Sequence, residues 1–222
     1  SRLIHISTDE VYGDLKRNTR SNENSPYKPS SPYSASKAGA DHLIMSYSRT
    51  YNLDAVISNC CNNFGPGQFP EKLLPTLIFN ILNNKNLPLY GKGKNTREWL
   101  YVEDHCRGLY SIYKKGKSGE SYNIGSGNNI SNLNLTKLLL KILKKRKFKI
   151  GNNVKIKFVK DRPGHDFRYA LNSKKILKKL KWKSSINFES ALEQTFNWYL
   201  NNYKFFENFS KKKFFKRIGL KV

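Results

Sequence analysis

The sequence has 222 residues, 38% hydrophobic and 13% aromatic, with 41 Lys and Arg against 16 Asp and Glu for a net charge of +25. That is enough chain for one sizeable domain, or a domain with a small lobe, and too apolar for disorder to be its main state. The charge is diffuse apart from runs at 144–149 and 211–217, which argues against a nucleic-acid groove, and no apolar run is long enough to span a bilayer.

Three cysteines, Cys60, Cys61 and Cys106, give neither a disulfide framework nor metal-ligand spacing, and the four histidines do not complete one. A reduced, cytoplasmic protein without structural metal and without a signal peptide is expected.

In chain order, residues 2–7 are short, apolar and β-branched, as a buried parallel strand should be. Residues 8–32 read as a polar loop, and a long helix over 33–51 starts just after Pro32. A second buried strand follows at 54–59, which completes a strand, helix, strand repeat. Residues 60–71 form a Gly/Pro-rich loop, 72–84 a helix, and 87–91 and 98–102 short strands. Helices are expected at 104–115, 134–147, 173–180 and 188–200, a strand at 121–125, and a half-exposed edge strand at 154–159 where Lys alternates with apolar residues. Trp99, Trp182 and Trp198 are assigned to core. No internal repeat is visible.

Two groups of residues carry chemistry. Ser7-Thr8-Asp9-Glu10 follows the first strand, and the carboxyl ends of strands are where open α/β sheets bind ligands. Adjacent carboxyls in one pocket can split their pKa values into an acid and a base; the same two residues could equally cap a turn. Tyr33 and Lys37 stand at i and i+4 on one helix face, where an ammonium would lower the pKa of the phenol and make it a base. Alone, that pair is also what an exposed aromatic–lysine contact looks like.

The order strand, Thr-Asp-Glu, loop, Tyr-x-x-x-Lys helix, strand resembles the extended short-chain dehydrogenases/reductases. The Asp9–Glu10 pair narrows the likeness to their nucleotide-sugar 4,6-dehydratases, those acting on dTDP-glucose in particular. Further stretches match in order: Asn62-Asn63-Phe64-Gly65-Pro66, Glu71-Lys72-Leu73, Leu87-Pro88-Leu89-Tyr90-Gly91, Arg97-Glu98-Trp99-Leu100, Tyr122-Asn123-Ile124-Gly125 and Asp161-Arg162-Pro163-Gly164-His165-Asp166. The likeness implies catalytic roles for Thr8, Asp9, Glu10, Tyr33 and Lys37. It implies NAD contacts from Ser7, Tyr33, Lys37 and Asn63. Substrate contacts are implied for Asn62, Lys72, Leu73, Pro88, Tyr90, Arg97, Asn132, Arg162 and His165, with Arg97 on a diphosphate oxygen. A nucleoside-diphosphate hexose is the implied substrate and a homodimer built on the Tyr-x-x-x-Lys helix, through Leu43, Ile44 and Tyr47, the implied assembly. Tyr90 could as well be ordinary core, and His165 a satisfied structural histidine.

The implied fold is α/β, a partial doubly wound Rossmann-type parallel sheet with a smaller C-terminal α/β substrate-binding lobe. Residues 1–64 would be the remainder of the NAD-binding domain. Residues 65–205 would be the nucleotide-sugar lobe interleaved with the last Rossmann elements, and 206–222 a basic tail. The superfamily's Gly-x-x-Gly-x-x-Gly turn is absent, since none of the pairs Gly65/Gly67, Gly91/Gly93 and Gly125/Gly127 follows a first strand and opens a helix. The reading is therefore of a chain that lacks an N-terminal cofactor segment and binds NAD weakly or not at all. Asn59 and Cys61 depart from the residues usual in the family at those positions. Another nucleotide-sugar epimerase or decarboxylase, or an inactive remnant, is the alternative.

Overall fold

The computed structural model describes residues 1–161 and 163–209, so Arg162, the basic run at 211–217 and most of the expected tail lie outside the described residues. The chain divides into two compact units. The first comprises 1–63, 95–130 and 166–185, the second 64–94, 131–165 and 186–222.

In the first unit, β1 (Leu3–Thr8), β2 (Ala55–Cys60) and β6 (Ser121–Ile124) form a parallel sheet in the order β1-β2-β6. Helix α1 (Pro32–Tyr51) makes the crossover from β1 to β2. It begins where the Ser31 and Ser34 side chains reciprocally cap the first turn and Pro32 supplies a preset φ, and it ends at Asn52 in the left-handed region. Its buried positions, Ser34, Ala38 and Asp41, are small or polar, so the helix lies close to the sheet and leaves Leu43 and Tyr47 61% and 53% exposed. A second sheet, ordered β3-β5-β7, joins β3 (Asn62–Phe64), β5 (Thr96–Tyr101) and β7 (Asn129–Ser131). Helix α3 (Val102–Lys115) carries acidic residues in its first turn and lysines in its last, as the helix dipole favours. With α5 (Lys174–Leu180) it closes a core of Val11, Val56, Leu100, Ile112, Tyr122, Ile124, Leu171, Ile176 and Trp182.

The second unit packs α2 (Leu73–Leu82), α4 (Asn132–Lys145) and α6 (Phe188–Asn201) around Leu77, Ile78, Leu135, Leu139, Leu192, Phe196 and Tyr199. β4 (Leu87–Tyr90) pairs in parallel with β8 (Ile156–Val159), which is half-exposed as expected, although Phe158, which the Lys alternation would turn inward, is exposed.

Three features depart from the sequence reading. The loop expected over 8–32 opens with a 3-10 turn at Asp9–Tyr12. That turn closes on Gly13 at φ 73, where a Cβ would lie 2.1 Å from the Lys28 carbonyl oxygen. The three-residue strand β3 falls in the segment read as loop, and β7 between two expected elements where none was assigned. Trp198 is only half-buried, unlike Trp99 and Trp182, and Phe206, assigned to the tail, is 3% exposed at the end of a further 3-10 turn at Tyr203–Phe206. No helix among the described residues is long and apolar enough to cross a membrane.

Candidate active site

The carboxyl end of β1 delivers the first group. Thr8 is the last residue of β1 and caps the 3-10 turn: its hydroxyl accepts from the Glu10 amide at 3.3 Å and donates to Asp9 Oδ1 at 3.3 Å. Asp9 is 3% exposed, and its Oδ2 has no hydrogen-bond partner among the described residues. Burial raises its pKa well above the usual carboxylate range. The charges of Glu10 and Glu98 add to this, while Arg97 and the Thr8 hydroxyl pull weakly the other way. Glu10 is half-buried and keeps access to water.

Tyr33, in the first turn of α1, is 55% exposed. Its phenol lies near enough to the Thr8 side chain, Glu10 and Asp9 to feel all three, so phenol, hydroxyl and both carboxyls lie in one neighbourhood. The expectation that Lys37 lowers the phenol's pKa is corrected. Partial burial raises it, and Glu10, Cys60 and Asp9 raise it further, with Thr8 acting the other way. The Lys37 ammonium donates to the Ile6 carbonyl at 2.6 Å.

Ser7 does not face this place. Successive residues of a strand point to opposite faces, and its Oγ, 3% exposed, donates to Asp41 Oδ2 at 2.8 Å. The same Oδ2 accepts from the Tyr27 hydroxyl at 2.9 Å and from Asn59 Nδ2 at 3.3 Å, and His5 Nε2 stands 3.1 Å from Oδ1. Asp41 is thus a buried knot on the side of α1 that also carries Tyr33 and Lys37, one turn further along. Its spacing, four residues past Lys37, was the legible signal for it.

Asn62 and Asn63 lie half-buried on β3. Asn63 Nδ2 is 3.1 Å from His105 Nδ1 and 3.5 Å from Cys60 Sγ. Arg97, read as a diphosphate grip, is 5% exposed; its guanidinium donates to the Thr96, Asp166 and Phe167 carbonyls and lies 4.4 Å over the Tyr169 ring. In this geometry it is a buried cation near Asp9, already engaged with main chain. Its neighbour Glu98 is 0% exposed and accepts from Arg20 at 2.7 Å and from the Gly127 and Leu171 amides. Tyr169, with its hydroxyl 2.5 Å from Asp166 Oδ2, and His105 went unnoticed in the sequence, where neither belongs to a chemical pattern.

The remaining residues lie in the second unit. Lys72, exposed, precedes α2, and Leu73 begins it, half-buried. Pro88 and Tyr90 are half-buried in β4, and the Tyr90 ring meets His165 edge-on at 6.1 Å. His165 Nδ1 lies 2.7 Å from Asp161 Oδ1. Asn132 opens α4 with its Oδ1 buried and unpartnered among the described residues.

A nicotinamide dinucleotide fits these residues at one end only. Thr8 and Tyr33 offer hydroxyl and phenol groups at the end of β1, while the Lys37 ammonium is taken by the Ile6 carbonyl. The glycine pairs cradle protein atoms instead: a Cβ on Gly125 would sit 2.3 Å from Glu98 Oε1, one on Gly91 2.8 Å from Asp161 Oδ2, and one on Gly93 3.1 Å from Leu133 Cβ. The N-termini of α1, α4 and α6 are closed by their own Ser31, Ser131 and Asn187 caps. No group of three or more His, Cys, Asp or Glu among the described residues is placed to hold a metal ion.

Known proteins resemble this chain in sequence and fold. The chain is 49% identical over 220 residues to dTDP-glucose 4,6-dehydratase 1 of Escherichia coli K12, covering 93% of the chain and 60% of that protein. The structure of the Bacillus anthracis dTDP-glucose 4,6-dehydratase in complex with NAD superposes with a TM-score of 0.85 at 41% identity, covering 91% of this chain and 63% of that one. DesIV of Streptomyces venezuelae, a dTDP-glucose 4,6-dehydratase solved with NAD bound, gives 0.85 at 44% identity, over 90% and 60%. The chain therefore spans about three fifths of the length of these relatives. A family model described as GDP-mannose 4,6 dehydratase matches residues 1–195, and the chain belongs to that family of NAD-dependent epimerases and dehydratases.

Proposed function

We propose that the protein carries the catalytic groups for dehydrating a nucleoside-diphosphate glucose, dTDP-glucose by preference, to its 4-keto-6-deoxy sugar. One observation supports this above the others: the Tyr33 phenol, the Thr8 hydroxyl and two unlike carboxyls converge at the end of β1. In this reading Tyr33, helped by Thr8, takes the proton of the sugar 4-hydroxyl. NAD, when bound, accepts the hydride from C4 and returns it later, so no net oxidation results. A 4-ketone acidifies the neighbouring C5–H, which Glu10 removes. Asp9, kept protonated by burial and by the charge of Glu10, hands its proton to the departing 6-hydroxyl. The exposed apolar face of α1, Leu43, Tyr47 and Tyr51, supports a homodimer formed there. Three free thiols accord with a reducing, cytoplasmic setting.

The test is to supply dTDP-glucose and NAD and follow product mass. Replacing Glu10 by Gln should stop loss of water while leaving 4-oxidation, read as exchange of the C4 hydrogen, in place. Equal loss of both would favour an epimerase or decarboxylase.

A further inference from the structure

His105 lies in the first turns of α3 and is 6% exposed. Its Nδ1 faces Asn63 Nδ2 at 3.1 Å, and its Nε2 is buried with no hydrogen-bond partner among the described residues. An amide nitrogen only donates, so Nδ1 must accept and the ring proton must sit on Nε2. The fold thus tolerates an orphaned N–H in order to offer Asn63 a lone pair. Asn63 Nδ2 reaches Cys60 Sγ at 3.5 Å as well, and the Cys60 thiol donates to the Ser7 carbonyl at 3.4 Å. That carbonyl belongs to the peptide bond leading into Thr8. A directional series therefore runs from α3 through β3 and β2 to Thr8, which holds Asp9 and lies beside Tyr33.

We propose that His105 is a positioning residue: through Asn63 and Cys60 it fixes the peptide that presents Thr8, and it does so only as the neutral Nε2–H tautomer. Burial holds the imidazole neutral by pulling its pKa down to about 4, so the acceptor persists at any pH at which the protein works. Protonated at Nδ1, the ring would oppose one donor with another, and the Asn63 amide would have to turn over and release Cys60. The role rests on the dehydratase reading, since it acts through Thr8.

Nitrogen-15 NMR of histidine-labelled full chain tests it without any cofactor. The expected spectrum shows His105 as one Nε2–H tautomer that does not titrate between about pH 5.5 and 8. An Nδ1–H tautomer, or titration in that window, overturns the proposal. His105→Asn keeps an acceptor near the Nδ1 position, and His105→Leu removes it. The Asn63 side-chain amide and the Thr8 backbone amide should shift in His105→Leu and stay near wild type in His105→Asn. Equal shifts in both variants, or none, overturn it too. In turnover, kcat should fall about tenfold or more in His105→Leu with KM within about twofold, and recover in His105→Asn. If Tyr33→Phe leaves turnover intact, or wild type shows none, the dehydratase reading fails, while the NMR result still decides the place of His105.

Discussion

Lys37 Nζ donates to the Ile6 carbonyl at 2.6 Å, so the lysine of the Tyr-x-x-x-Lys pair is spent on the edge of β1. Leu3 N–H donates to Asp54 on the β2 side. Strand residues alternate which neighbour they bond, so Leu3, His5 and Ser7 face β2 and the Ile6 carbonyl faces the open edge. Lys37→Met should lower stability by about 1 kcal/mol, the smaller figure fitting a half-exposed donor, read as a drop in urea midpoint. A midpoint unchanged from wild type would show the bond to be idle.

Asp9 makes stability depend on pH in a direction opposite to most carboxylates. Its pKa is raised on folding, so between the unfolded value of 3.8 and its folded value the native state binds the extra proton. Its contribution is complete below the unfolded pKa and is lost as pH rises through the folded one. Asp9→Asn should therefore stabilise the fold at about pH 8 and change little at about pH 4, in urea titrations at the two values. Destabilisation at the higher pH would contradict the raised pKa.

Gly125 has no room for a side chain. Its Cβ would meet Glu98 Oε1 at 2.3 Å, and Glu98 cannot yield without releasing Arg20 and two backbone amides. Gly125→Ala should cost about 1–3 kcal/mol in chemical denaturation. Gly127, whose Cβ position is open, differs in cause: its φ of 81 alone disfavours a side chain.

The face of α1 predicts an assembly. Leu43→Glu with Tyr47→Lys should turn a dimer into a monomer in sedimentation velocity while circular dichroism stays unchanged. A wild-type chain already monomeric at high concentration would remove the dimer from the proposal.

NAD titration checks the cofactor fit. Because the glycine turns enclose Glu98, Asp161 and Leu133, NAD should bind the 222-residue chain only weakly, saturating above the micromolar range, and the turnover assays use NAD in that higher range. Tight binding would mean that the nicotinamide end suffices.

How legible this was varied with its physical origin. The buried strands β1 and β2 and the long helix α1 stood out because hydrophobic runs, Pro32 and local spacing encode them. β3 and β7 did not, because the Asn-containing triplets Asn-Asn-Phe and Asn-Ile-Ser have little strand preference and become strands only by pairing with β5. The convergence of Thr8, Asp9 and Tyr33 was readable from motif order. The destination of the Lys37 ammonium was not: the i, i+4 rule fixes where Cβ atoms lie, not where a four-carbon stem ends. Ser7 was misplaced by passing over strand alternation, which the sequence did contain. The engagement of Arg97 with main-chain carbonyls depends on the 166–167 segment, some 70 residues away, and no local pattern announces it.

The open margin of β1 has a colloidal consequence. Leu3 and Ile6 are 40% and 48% exposed there, on a strand at the edge of the sheet formed by the described residues, where carbonyls and amides could pair with another chain. A cation planted on the Ile6 oxygen works as a gatekeeper, burdening any intruding strand with a charge to displace. Concentrated salt, which screens that guard, is the condition in which this polypeptide should clump first.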